Sequence, residues 1–138
     1  MILTEENIQS IIPQRKPFVM VSNLLQASPE GFESDFFIYP DNIFIKNNIL
    51  QEPALIENIA QTCAAGFGYL NSQQGGEPKL GFIGSITKLK VHALPEMQKR
   101  INTKIVVTHQ LANIFLVKGE NFDNGKKLVE CDMKIVVA

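Results

Sequence analysis

A single carboxylate, Glu57, interrupts the apolar stretch PALIENIAQTCAAGFGY that runs from Pro53 to Tyr69. Ile56, Ile59, Ala60, Cys63, Ala64 and Phe67 recur at intervals of three and four, which predicts a helix from Ala54 to about Asn71, with Pro53 in its first turn. On that helix Gln61 stands one turn after Glu57, on the same face. A carboxyl group beside an amide, in apolar surroundings, is placed to give or take a proton, the work of a general acid or base. The competing structural reading is an acid that complements the positive end of the helix dipole or pairs with a basic residue. The amides of Ala54 and Leu55, expected to lack intrahelical partners, can meet a carbonyl oxygen on which negative charge develops.

A second proton-transfer group is harder to find. The chain has 2 histidines, His92 and His109, and both follow Val91. His92 alternates with Lys88 and Lys90 and reads as a surface or subunit-contact residue. His109 shares a strand face with Ile105 and Val107 and reads as satisfied by a nearby polar group. Cys63 and Cys131 have no close metal-ligand spacing and read as small buried hydrophobes of a reducing compartment. No metal and no cofactor are expected.

The positioning elements follow from periodicity. Thr4 is expected to cap a short helix carrying Ile8, Ile11 and Ile12, ended by Pro13 and lying on the domain as a lid. Strands are predicted from Phe18 to about Ala27 and from about Phe32 to Tyr39, turned by SPEG. PDNIFIKNNILQE reads as a structured loop in which Asn47 and Asn48 serve a turn or orient a ligand. After the helix come strands at Leu80 to His92, Ile101 to Gln110, Ile114 to Phe122 and Leu128 to Val137, the last two joined through Asn124-Gly125. Val129, Cys131, Met133, Ile135 and Val137 face one way, and Glu130, Asp132 and Lys134 the other.

With 138 residues, 45% hydrophobic and 20% charged, the chain is predicted to be a single domain, residues 1–138. The formal charge of -1 argues against nucleic acid, and no window reaches the length of a membrane span. The opening MILTEENIQS does not read as a signal peptide, so a cytoplasmic protein is expected. One apolar helix and an antiparallel sheet with one apolar face give an α+β fold in which the sheet wraps around one long central helix, the hotdog fold. The uncovered side of the helix predicts a homodimer or higher oligomer.

Three stretches, IIPQRKPFVMVSNLL, ALIENIAQ and GFIGSITKLKVHALP, together resemble the hotdog-fold 3-hydroxyacyl-(acyl carrier protein) dehydratases, and most of all the divergent dehydratase-like branch encoded with aryl-polyene and flexirubin-type pigment synthesis. The resemblance implies that Glu57 is the catalytic acid, with Gln61 beside it, and that Phe82 and Gly84 line the wall of an acyl tunnel. It implies an acyl carrier protein or coenzyme A thioester as substrate. The family's loop histidine, which takes the C2 proton, has no counterpart in IYPDNIFIKNNILQEP, and its N-terminal histidine is replaced by Gln14. Three functions are therefore open: a dehydratase-like protein of fatty acid or polyene synthesis, a hotdog acyl thioesterase in which Glu57 activates water, or a non-catalytic subunit forming a heterodimer with a histidine-bearing dehydratase homologue.

Overall fold

Alternating apolar residues build most of this molecule. The computed structural model describes residues 1–75 and 81–137. Its strands are β1 (Asn23–Ser28), β2 (Gly31–Phe37), β3 (Ile45–Lys46), β4 (Ile49–Leu50), β5 (Gly81–Val91), β6 (Arg100–Leu111), β7 (Ile114–Asp123) and β8 (Lys126–Val137), with the helix α1 (Glu52–Gln73) between β4 and β5. Six strands form one antiparallel sheet in the order β1-β2-β6-β7-β8-β5, while β3 and β4 form a separate small hairpin. On β8, Val129, Cys131, Met133 and Ile135 are buried, as their alternation requires. Asn124 and Gly125 take φ of 49° and 84° in the turn between β7 and β8. The sheet curls around α1, which is the hotdog arrangement expected.

Close approach between helix and sheet depends on two glycines. A Cβ on Gly66 would collide with the ring of Phe32, and one on Gly119 would collide with Ile59. Phe32 in turn meets Phe67 edge-on at 4.8 Å, and Phe67 packs on Phe115 at 4.4 Å, so the ring over Gly66 has no free space to retreat into. Gly66→Ala is expected to lower stability by about 1–3 kcal/mol through overpacking, despite the better helix propensity of alanine. Urea unfolding measures it, and a midpoint equal to wild type would show that Phe32 is free to move.

Several expectations need correction. Thr4 does not cap a helix: only a single 3₁₀ turn, Ile8–Ser10, forms, and Thr4 N–H donates to Asn7 Oδ1 at 2.7 Å. Ile2 and Leu3 are instead bonded to Leu24 on the outer edge of β1, so too few residues remain before Pro13 to nucleate an α-helix. Ile8 and Ile12 still anchor the segment in the core. The stretch Phe18 to Ser22 is irregular, and β1 begins only at Asn23. The NN pair sits at the tip of the β3–β4 hairpin, with φ of 52° and 66° at Asn47 and Asn48, and therefore serves the turn. Leu80, the expected first residue of β5, lies outside the described residues.

The helix is also less apolar on its buried side than its sequence suggests. Asn58, Gln61 and Thr62 are buried with it. Asn58 Nδ2 donates to Met20 O at 2.8 Å, and its Oδ1 accepts from the Thr103 hydroxyl and, at 3.3 Å, from Asn121 Nδ2. Asn121 also donates to Leu55 O at 3.0 Å and accepts the N–H of Val129 at 3.0 Å, where the β7–β8 register shifts. The Ser34 hydroxyl donates to Thr62 Oγ1, which donates to Asn58 O, each at 2.7 Å. Polar side chains thus pin α1 to β2, β6, β7 and β8, every one with a partner.

Strand β5 stands apart. Among the described residues it is an edge strand, paired only with β8, and all of its residues are exposed, including Phe82, Ile83, Ile86, Leu89 and Val91. A free edge carrying that many large apolar side chains is more apolar than a water-facing edge usually is.

Candidate active site

Glu57 projects from the second turn of α1 and is half-buried. Its Oε2 accepts a hydrogen bond from Gln61 Nε2 at 2.7 Å. The orientation of that amide is settled by two backbone groups of the irregular stretch before β1: Gln61 Oε1 accepts from Met20 N–H at 2.6 Å, and Gln61 Nε2 donates also to Phe18 O at 2.9 Å. Both amide hydrogens and the amide oxygen of this fully buried side chain are therefore committed. Oε2 receives a donor, and among the described residues Oε1 has no hydrogen-bond partner. A proton on this carboxyl belongs on Oε1, because an O–H on Oε2 would face the amide N–H. Gln61 thus occupies one oxygen of Glu57 and leaves the other unbonded.

Glu57 opens into a groove of ≈ 690 Å³ between α1 and the end of the sheet. The helix contributes Ala60, Cys63, Ala64 and Phe67 to its floor, β5 contributes Gly81, Phe82 and Ile83, and the β6–β7 end contributes Gln110 and Phe115. The apolar floor and polar rim suit an acyl chain with a polar head. Phe82 stands in the groove wall. Gly84 does not: it lies against the side chain of Lys134, because the pairing of β5 with β8 shifts register between Ile83 and Ser85. The amides expected as free donors are also occupied. Ala54 N–H donates to Gln51 O at 3.1 Å, and Leu55 N–H enters the i→i−4 ladder of a helix that opens at Glu52. Both residues are buried in the core rather than turned to the groove.

Neither histidine lines the groove. His92 Nε2 lies 3.0 Å from Glu130 Oε2 beyond the end of β5, where Lys127 also pairs with Glu130 and with Glu120. Lys127 and then His92 hold the Glu130 carboxyl down to about 2. His109 is exposed on the projecting end of β6, at a register shift against β7. Cys63 reaches the groove floor, but burial raises its thiol well above the ordinary range, and burial raises Cys131 to about 11, so both act as hydrophobes. Among the described residues, then, Glu57 has an orienting amide and no histidine beside it. The sequence missed the backbone clamp of Phe18 and Met20, for which spacing carries no signal. It missed Gln14 as a groove residue too, although Gln14 stands where the resembled family has its N-terminal histidine.

A hotdog domain whose central helix turns a glutamine-oriented carboxylate into an apolar groove is a dehydratase-like hotdog protein. The chain belongs to the ApeP dehydratase family, which it matches over residues 6–136. Among solved structures it is similar to the dehydratase heterocomplex ApeI:P from Xenorhabdus doucetiae, with 14% identity over 95% of this chain and 90% of that one and a TM-score of 0.87. It is also similar to a sigma28-regulated virulence protein from Campylobacter jejuni, with 9% identity, 95% of both chains covered and a TM-score of 0.72. A hypothetical thioesterase with coenzyme A from Streptococcus pneumoniae TIGR4 matches at 7% identity over 84% of each chain, with a TM-score of 0.67. No curated protein matches the chain in sequence. Among the described residues, no helix is long and apolar enough to cross a membrane.

Proposed function

We propose that this chain is the acid-bearing subunit of a two-chain dehydratase acting on 3-hydroxyacyl thioesters of acyl carrier protein or coenzyme A. Glu57 is its acid, Gln61 orients that acid, and the base is a histidine supplied by a dehydratase partner. The observation that carries this reading is the Glu57–Gln61 pair, built into an apolar groove that neither histidine of the chain lines. In the reaction, the partner's base takes the C2 proton and the C2–H electrons become the C2=C3 bond. The C3–O bond breaks as Glu57 Oε1 protonates the leaving oxygen, which departs as water. The similar structure from Xenorhabdus doucetiae is a dehydratase heterocomplex, which supports a partner of the same kind. The exposed β5 edge is where that partner docks, since Phe82 belongs both to this edge and to the groove wall.

The test mixes the purified chain with a histidine-bearing dehydratase homologue and follows the absorbance of the enoyl thioester. The mixture is expected to be active and this chain alone inactive. Ile86→Lys, on the exposed β5 edge and outside the groove, is expected to abolish co-elution of the two chains. Full activity of the chain alone would overturn the two-chain reading. Release of free thiol with no enoyl product would instead favour hydrolysis, which needs no histidine.

A further inference from the structure

Gln14 stands out on the groove wall. Its backbone is held, because Arg15 Nη1 donates to the carbonyls of Ile12 and Gln14, both at 2.8 Å. Its side-chain Oε1 is buried and has no hydrogen-bond partner, and no other side-chain atom among the described residues shares that condition. A buried acceptor without a donor costs stability, so a position that tolerates one invites a donor that arrives with a ligand. The neighbours of Gln14 place it over the helix. Ile11, three residues before it, packs on Gly68, and the carbonyl of Phe18, four residues after it, is bonded by Gln61, so the segment that carries Gln14 crosses α1 between Gln61 and Gly68. Glu57 and Gln14 line the same groove.

We infer that Gln14 binds the 3-hydroxyl group of the substrate, accepting its hydrogen, and thereby selects hydroxylated acyl thioesters over their deoxy analogues. This rests on the reading of Glu57 as the acid. A hydroxyl that is to be protonated by Glu57 Oε1 must offer that carboxyl a lone pair, so its own hydrogen has to point to a second acceptor. Gln61 is saturated and supplies none. Gln14 has a buried acceptor to spare, and rotation of its terminal amide carries Oε1 from the wall into the groove. When the C3–O bond breaks, the original hydroxyl hydrogen stays on the oxygen and remains bonded to Gln14 as water forms.

The experiment uses a matched pair of stable probes, 3-hydroxyoctanoyl and octanoyl pantetheine amides in which an amide replaces the thioester, titrated against the full chain by calorimetry. Wild type is expected to bind the hydroxylated probe at least about five- to tenfold more tightly, the worth of one hydrogen bond. Gln14→Met keeps the length of the side chain and removes the acceptor. It is expected to weaken binding of the hydroxylated probe about five- to tenfold and leave the deoxy probe unchanged, so that only the preference due to Glu57 remains, with a melting temperature no lower than wild type, because no protein hydrogen bond is lost. An unchanged preference in Q14M, or an equal loss for both probes, would overturn the inference and leave the Glu57 reading standing. Binding of neither probe by wild type would overturn the acyl-groove reading, and this inference with it.

Discussion

In the proposed two-chain dehydratase, Glu57→Gln is expected to lower kcat for dehydration by about 10²–10⁴-fold, the usual contribution of a general acid, while KM changes little. The fold should survive the change. Glu57 is half-buried, and an amide oxygen in its place still accepts from Gln61 Nε2, so only the dissociable proton is removed. Steady-state assays of the mixed chains measure the effect, and circular dichroism checks that the variant is folded. A kcat within threefold of wild type would remove Glu57 from the chemistry. Gln61→Leu should combine two defects: it frees the carboxylate to reorient, and it leaves Met20 N–H and Phe18 O without partners. For that reason Glu57 gives the cleaner test.

The largest loss of stability is expected at Asn58, the residue directly after Glu57, which the helix turns about 100° away to the buried, sheet-facing side. Asn58→Leu preserves side-chain volume but strips the donor from Met20 O and the acceptor from the Thr103 hydroxyl and Asn121 Nδ2. Asn121 keeps its bond to Leu55 O, so two groups, Met20 O and the Thr103 hydroxyl, are left unsatisfied in the interior. At roughly 1–3 kcal/mol for each buried group, the sum is about 2–6 kcal/mol, a large fraction of the stability of a domain this size. With a urea m-value of about 1–3 kcal/mol/M, the unfolding midpoint should fall by about 1 M or more. A midpoint within about 0.3 M of wild type would mean that water or repacking replaces the lost partners.

Much of this molecule was legible from spacing. The alternation from Val129 to Ile135 placed β8 and named its buried face, and Asn124-Gly125 placed the turn before it. The three-and-four recurrence from Ile56 to Phe67 placed the helix, found from Glu52 to Gln73. The N-terminal helix failed because its signals are weak over nine residues and Leu3 is drawn into pairing with Leu24. Gly84 failed as a wall residue because a register shift cannot be seen in a sequence that merely alternates. The polar side chains of Asn58 and Thr62 were passed over among apolar neighbours, although they face the sheet.

By itself, then, the sequence determined the periodic elements and the placing of Glu57 and Gln61 on one helix face, because helix and strand geometry act over a few residues. The tertiary structure alone decided what that pair can do. Gln61 is locked by Met20 and Phe18, 41 and 43 residues away, and this lock directs the amide at one carboxylate oxygen and leaves the other to the groove. It also decided that both histidines lie off the groove, that Gln14 carries an acceptor without a donor, and that β5 keeps an open edge. Each of these depends on where distant segments meet, and a spacing rule carries no information about atoms brought together by the path of the chain.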